Sequence, residues 1–504
     1  MKIRLLKILM PAMLLCALAA AQDIASFEKR ITVKTLDNGL TVLICERPEA
    51  PVFAFYTHVD AGSVQDPMGQ TGLAHMFEHM AFKGTDTIGS KDYPAEKAAL
   101  AKVETAYAAY IYERDKRIGR DEAKLKQLEA DWHAATDAAN QFVVPGEFAE
   151  VIERSGGEGM NASTSDDETE YHYSMPENRL ELWAYLESER FLHPVMREFY
   201  KERNVVIEER RMRTDSRPIG RLVEQFIAAS FSAHPYHRPT VGYMGDLNSF
   251  SATDAQKFFD EYYIPSNMVV AVVGDVKAST AMPVIEKYFG RIPSHAKPEE
   301  APTKEPPQNS ERTVVLHEKS QPVYLEGYHR PDYLDKDDAV YDAIADLMSE
   351  GRTSRLYRTL VRDKKIASVA AGFTGFPGVK YPHLFAFFAF PTPGHTPQEI
   401  ADSIHSEIDR LKKEDISDEE LKMIKTRAKA NLLRGLADNE GLASQLGESQ
   451  ARYGDWRELF RNVERIDAVN KADIRRVANQ IFVPTNRTVG IIDNAAVAAK
   501  GGQQ

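Results

Sequence analysis

The sequence predicts an α+β protein built from two similarly folded domains in tandem. Three observations carry this. A chain of 504 residues with 43% hydrophobic residues is too long for one ordinary core. From Arg291 to Arg312 it carries Pro293, Pro298, Pro302, Pro306 and Pro307 among charged residues, and such a stretch reads as an extended linker. The halves on either side open alike. Thr41-Val42-Leu43-Ile44-Cys45-Glu46 with Pro51-Val52 matches Thr313-Val314-Val315-Leu316-His317-Glu318 with Pro322-Val323. Each reads as a strand, a turn and a second strand that leads into a helical pattern, the mark of a duplicated unit.

The expected order is therefore a leader at 1–21, a first domain at 26–290, the linker at 291–312 and a second domain at 313–495. The leader has basic Lys2, Arg4 and Lys7, an apolar run from Ile8 to Ala20, and small residues Ala19-Ala20-Ala21. It reads as a signal peptide cleaved after Ala21, which predicts a periplasmic or secreted protein. The apolar run is too short for a comfortable span, so no stable membrane insertion is expected. A lipoprotein acylated at Cys16 is disfavoured by the preceding Leu15, and an uncleaved interfacial anchor is the other reading. Cleavage leaves Cys45 as the only thiol, in an apolar run, which predicts a buried strand residue and no internal disulfide.

Within the first domain, Tyr93 to about Asn140 is rich in Ala, Glu, Lys and Leu, with Gly119 near its middle. This composition predicts a hairpin of two charged helices. Ala99, Val103, Ala106 and Tyr110 form one apolar stripe; Leu125, Leu128, Trp132 and Ala135 form the other. The expectation is a surface hairpin packed on itself, with gating of a cleft or docking of a partner as the sharper alternative. Lys+Arg 63 against Asp+Glu 75 gives a net charge of −12, which argues against a nucleic-acid partner.

The chemistry gathers at His75-Met76-Phe77-Glu78-His79. On a helix, His75 and His79 lie one turn apart and point the same way, as two nitrogen ligands of one Zn²⁺ would. Glu78 beside them is placed to take a proton from a water polarised by the metal as it attacks a carbonyl. By chance this pattern arises about three times in a hundred chains of this length, so histidines packed in a core helix are the competing reading. Structural zinc is disfavoured, since it prefers four protein ligands rich in Cys. A third ligand is sought in Glu202-Arg203-Asn204-Val205-Val206-Ile207-Glu208-Glu209, where Glu202 and Glu209 share a helix face. Taken alone, a Glu on a charged helix is usually a solvated residue.

Together, His75-x-x-Glu78-His79 and Glu202-Arg203-Asn204 with Glu209 resemble the pitrilysin and insulinase family of zinc peptidases, which includes the mitochondrial processing peptidases. Gly72-Leu73-Ala74, Ala81-Phe82-Lys83-Gly84-Thr85, Gly156-Gly157 and Asn161-Ala162-Ser163-Thr164-Ser165 extend the match. The resemblance implies two α/β-sandwich domains of the processing-peptidase type, with Zn²⁺ on His75, His79 and Glu209. It implies Glu78 as general base and Glu202 as an accessory catalytic carboxylate. It makes Asn161 and Ala162 part of an edge strand that pairs with extended substrate. His234-Pro235-Tyr236-His237-Arg238-Pro239 also recurs in bacterial relatives and reads as a structural loop.

The interval from His79 to Glu209 is longer than in typical relatives by about the length of the Tyr93–Asn140 hairpin. In the second domain, Asp342, Ala345 and Asp346 stand at the positions of His75, Glu78 and His79, so that domain is expected to be metal-free. Relatives carry there an Arg and a nearby Tyr that hold substrate. Arg362 fits the Arg; Ser368 or Val369 stands where the Tyr is expected. The missing phenol points to weak activity alone or to a second subunit that supplies the group. The expected protein is thus a zinc endopeptidase acting on extended or unfolded peptides inside a closed chamber, as a homodimer or paired with a metal-free homologous subunit. A scaffold or substrate-holding subunit of a hetero-oligomeric peptidase is the alternative, and a hydrolase of non-peptide substrates a third.

Overall fold

The computed structural model describes residues 24–494; the expected leader lies outside them. Six strands form the first sheet: β1 (Ile31–Thr35), β2 (Thr41–Glu46), β3 (Val52–Val59), β4 (Glu158–Thr164), β5 (Thr169–Pro176) and β6 (Met268–Gly274). Five form the second: β7 (Arg312–His317), β8 (Val323–Arg330), β9 (Ala367–Phe376), β10 (His383–Pro391) and β11 (Arg487–Asp493). The first sheet runs β1-β2-β6-β3-β5-β4 and the second β7-β11-β8-β10-β9. Without β1 the two orders superpose strand for strand. In each, the opening strand is parallel to the last (β2 with β6, β7 with β11) and every other pair is antiparallel. The likeness read from the strand-turn-strand openings therefore extends to the whole sheet.

Strands β2, β3 and β6 are buried on both faces. One face carries the main core of the first half; the other is covered by the helix Asn439–Tyr453, contributed by the second half. Leu442, Ala443 and Leu446 of that helix meet Leu43, Cys45, Tyr56, Ala271 and Val273. The loan is reciprocal. The helix Pro218–Ser230 of the first half lays Leu222, Phe226 and Ile227 on Val323, Leu325, Leu384 and Ile492 of the second. Gly327 in β8 and Gly490 in β11 leave the room this needs, since a Cβ at either would sit 3.0 or 3.1 Å from the Phe226 ring. Burying an apolar face on the opposite half locks the two halves into one unit. The Pro-rich stretch between them carries neither helix nor strand, but it is pinned. Glu305 accepts hydrogen bonds from the amides of Ser232, Ala233 and His234 (2.8, 2.9 and 2.9 Å). Cys45 is buried in β2, and no described helix is long and apolar enough to cross a membrane.

The hairpin forms from the helices Tyr93–Arg114 and Glu122–Asn140, with Gly119 in the left-handed region between them. Its two helices pack on each other as expected, and its inner face is in addition built to bind the body of the first half. The buried positions of the first helix are Glu96, Val103, Tyr107 and Glu113; of the stripe the apolar pattern marked, Val103 is among them and Ala99, Ala106 and Tyr110 are partly buried against the same core. Glu96 forms a two-pronged ion pair with buried Arg197 (2.9 and 3.0 Å). Glu104 accepts from Tyr200 Oη and Thr253 Oγ1, both at 2.6 Å. Arg203 donates to Tyr107 Oη (2.5 Å) and to the Phe250 carbonyl (3.1 Å), with its guanidinium against Tyr107 and Tyr200. Trp132 closes this cluster, its ring about 5 Å from those of Tyr107, Tyr110 and Tyr200. The polar anchors lie outside that pattern, since an apolar stripe cannot show where buried ion pairs form. Trp132→Ala is expected to cost about 3–5 kcal/mol through the cavity it leaves. This should appear as a lower urea midpoint for the whole chain; an unchanged midpoint would mean that the hairpin melts independently.

Candidate metal centre

The motif helix, Leu73–Met80, starts where its sequence requires. Gly72 has φ +96°, and a Cβ there would lie 2.8 Å from the Val241 carbonyl, so only glycine fits. Asp66 accepts from the amides of Gly72 (2.6 Å) and Ala74 (2.9 Å), which satisfies donors that a helix start leaves open. Leu73, Met76, Phe77 and Met80 are buried in the core. His75, Glu78 and His79 are left to face the second element of the site, the helix Phe199–Arg210.

Glu209 comes from that helix. Its Oε2 lies 3.3 Å from His75 Nε2 and 3.7 Å from His79 Nε2. The two imidazole rings stand nearly perpendicular, with centroids 5.0 Å apart. Arg213 holds the other oxygen of Glu209 at 2.5 Å. Glu209 Oε2 itself is buried with no hydrogen-bond donor. A carboxylate oxygen is not normally buried in this state, because losing water without gaining a partner is costly. Three ligand atoms converging on one point, one of them an orphaned anion, fit a divalent cation. Burial, the neighbouring His79 and Arg213 together push the His75 pKa down to about 3, so its ring is neutral, as a metal ligand must be. His75, His79 and Glu209 thus form a set of Zn²⁺-type ligands.

Glu78 lies beside this set on the wall formed by β4. Its Oε2 accepts from Thr164 Oγ1 at 2.6 Å. Burial raises its pKa above the usual carboxylate value, and the Thr164 bond opposes that shift. Glu202 takes a different place from Glu209. Its Oε1 accepts from Lys83 Nζ at 2.5 Å, and its Oε2 sits 3.6 Å from His79 Nδ1, the nitrogen on the far side of the ring from Glu209. Burial opposes its ionisation, but His79 and Lys83 outweigh it and hold the pKa at about 2. A carboxylate behind a ligating imidazole fixes the ring's orientation and tautomer. Glu202 therefore has the accessory place the motif implied, behind the ligand set, where it can position the His79 ring.

Asn161 and Ala162 lie in β4, the edge of the first sheet, which is hydrogen-bonded only to β5. Asn161 and Ser163 point outward and exposed, while Ala162 and Thr164 turn inward. Arg362 stands apart, exposed in the π-helical segment Tyr357–Asp363 and held by its neighbour Asp363 at 2.6 Å. Ser368 Oγ donates to the Phe390 carbonyl, and Val369 is exposed on β9, so neither offers a phenol's chemistry. In the second half, Arg427 holds Asp346 at 2.6 Å and Asn462 faces Asp342 at 3.5 Å. Among the described residues that half gathers no three-ligand group. A further group, Asp86, Glu189 and His193, is closed by its own pairs: His193 with Glu189 at 2.9 Å and Glu189 with Arg291 at 2.7 Å. His234 is buried, with Nδ1 accepting from the Tyr236 amide, and lies apart from the metal ligands.

Sequence reasoning named the stretches holding Thr164 and Lys83 without giving either a role. Lys83 follows His79 by four residues, a spacing that could have marked it as an ion partner near the site. Thr164 shares the inward parity of Ala162, but which side chain it would meet lay 86 residues away.

Comparisons with known proteins identify the family. The family model described as Insulinase (Peptidase family M16) matches residues 41–112, and the one described as Peptidase M16 inactive domain matches residues 249–428. A zinc protease of Helicobacter pylori, PqqE, is 30% identical over 487 residues, covering 95% of this chain and 96% of the relative. A crystal structure of a protease from Helicobacter pylori aligns with a TM-score of 0.76 at 28% identity, covering 92% of this chain and 99% of that one. The periplasmic protease PqqL of Escherichia coli aligns with a TM-score of 0.68 at 20% identity, over 94% of this chain but 48% of its own. With two sheets of one topology, the inverted histidine motif and these relatives, the chain belongs to the pitrilysin/insulinase family of peptidases, M16.

Proposed function

We propose that this chain is a zinc-dependent endopeptidase that cuts extended or unfolded peptides after export to the periplasm or the cell exterior. The observation that carries the reading is the orphaned Glu209 oxygen facing two histidine nitrogens, with Glu78 and the free edge of β4 alongside. Zn²⁺ held by His75, His79 and Glu209 would supply a Lewis acid for the peptide carbonyl. The chain's own residues do the rest. Glu202, anchored by Lys83, keeps His79 turned toward the centre. The outer edge of β4 at Asn161 and Ala162 offers unpaired backbone groups, so a substrate strand can add to the sheet and present its carbonyl to the site. Thr164 holds one oxygen of Glu78, and the other takes the proton of the attacking water. A substrate read by its backbone must be extended, which selects flexible peptides over folded proteins.

Two observations favour action with a partner chain, as a homodimer or with a metal-free homologous subunit. Arg362 is tied to Asp363, and no phenol stands at 368 or 369. PqqL holds this fold within a chain about twice as long, as a chamber of two such units would. The test is cleavage of a quenched peptide library by purified mature protein. Chelation should abolish cleavage and added zinc restore it, while cleavage indifferent to chelator would overturn the proposal. Zinc-loaded protein that binds peptide without cutting it would show a substrate-holding subunit that needs its partner.

A further inference from the structure

The turn between β4 and β5 carries three consecutive acids, Asp166-Asp167-Glu168, and all three are committed to contacts inside the molecule. Asp166 accepts from Ser63 Oγ and Thr240 Oγ1, both at 3.1 Å, within the first half. Glu168 faces His58 at 3.4 Å and accepts at 3.1 Å from Arg452 of the second half. Asp167 makes the closest link. It is 6% exposed; its Oδ1 accepts from Tyr236 Oη at 2.6 Å. Its Oδ2 accepts from the amides of Val379 (2.6 Å) and Lys380 (3.0 Å), in the loop joining β9 to β10 of the second half. That loop comes so close that a Cβ on Gly378 would lie 2.5 Å from both Asp167 Oδ2 and Tyr236 Oη.

Three residues before Asp167, on the same strand end, Thr164 donates to Glu78. A continuous line of bonds therefore runs from the second half through Asp167 and the turn to the carboxylate placed as general base. The same turn fixes the end of the edge strand on which substrate would lie. Three hydrogen bonds to one buried carboxylate are far more than a turn needs to close. Their partners are what give them meaning: two of the three come from the metal-free half.

We propose that Asp167 is a positioning residue through which the second half sets the substrate-binding strand, and that Thr164 passes the same register to Glu78. The proposal rests on the peptidase reading above and gives the metal-free half a task in it. A carboxylate accepting three bonds suits the role, because an isosteric amide loses the charge and can keep its oxygen on the two loop amides only if its NH₂ faces Tyr236 Oη and reverses that bond.

The test separates strand from base. Affinity for a labelled unstructured peptide is measured by anisotropy on zinc-free protein, and kcat and KM on zinc-loaded protein. Asp167→Asn should weaken zinc-free peptide binding about tenfold or more, the size of a lost charged hydrogen-bond anchor, and lower kcat/KM roughly 10²-fold through misplacement of the reacting groups. Gly378→Ala, which pushes the same loop away from the other side, should give the same losses. Thr164→Val should leave peptide affinity and KM unchanged and lower kcat about tenfold or more, and Thr164→Ser should restore it. Zinc content should stay at the wild-type level in all four. Unchanged peptide affinity in both Asp167→Asn and Gly378→Ala would overturn the proposal, as would a Thr164→Val variant with wild-type kcat. If zinc-loaded wild-type protein binds the peptide without cutting it, the peptidase reading fails, and the zinc-free affinities still decide the role of Asp167.

Discussion

Glu78→Gln is expected to reduce kcat by roughly 10²–10⁴-fold, the contribution of a well-placed general base, with zinc content and peptide affinity unchanged. The substitution is close to isosteric, and its amide oxygen can still accept the Thr164 hydroxyl that now binds Oε2 at 2.6 Å. The side chain should therefore keep its place against β4. What it loses is the second oxygen, because an NH₂ group cannot accept a proton from an attacking water. The three ligand atoms lie on His75, His79 and Glu209, and the variant alters none of them. Steady-state cleavage of a quenched peptide, zinc analysis of the dialysed protein and peptide anisotropy together check this. A variant that turns over like wild type would remove Glu78 from the chemistry. A loss of zinc would make it a ligand instead of a base. Intact zinc and binding with turnover lost would also yield a stable enzyme–peptide complex, in which the partner chain could be sought.

Much of this arrangement could be read from residues close in sequence, where the physical signals are local. The openings Thr41–Glu46 and Thr313–Glu318 marked β2 and β7 because a short apolar run bounded by turns is a short-range pattern. Gly119 between two Ala- and Glu-rich stretches marked the hairpin for the same reason. Long-range pairings were hidden. The helices Pro218–Ser230 and Asn439–Tyr453 each show an apolar face, but a face does not state which sheet will cover it. Nothing local says that Phe226 fills space left by Gly327 and Gly490. Within the site, spacing put Glu202 and Glu209 on one side of a helix and could not tell them apart. Lys83, arriving from the end of the motif helix, claims Glu202 and leaves Glu209 free to face the histidines. Similarly, the hairpin's apolar stripe missed Glu96 and Tyr107 because a buried ion pair or a bonded phenol is defined by its partner.

That distinction between the two carboxylates sets the second large expectation. Glu209→Gln should abolish measurable zinc retention, whereas Glu202→Gln should weaken zinc binding only about 10–100-fold, as loss of a ligand's outer partner does. Glu209 offers a charged oxygen to the centre itself; Glu202 reaches only the far nitrogen of His79. Competition with a chromophoric chelator ranks the three proteins directly. Thermal stability gives an independent check. Zinc that binds only the folded state raises stability with the logarithm of its concentration, by about 4 kcal/mol at a thousand times Kd. Wild type should show this rise, Glu202→Gln a smaller one, and Glu209→Gln none. Among the zinc-free proteins Glu209→Gln should move the other way. Wild type buries a carboxylate oxygen without a donor, so replacing that charge with an amide relieves an unfavourable burial. Arg213, which holds the other oxygen, is largely exposed and loses little when the ion pair goes. Zinc-free Glu209→Gln should thus melt at or above zinc-free wild type. A lower melting point would mean that Glu209 serves the fold, and zinc affinity equal to wild type would leave the centre without its third ligand.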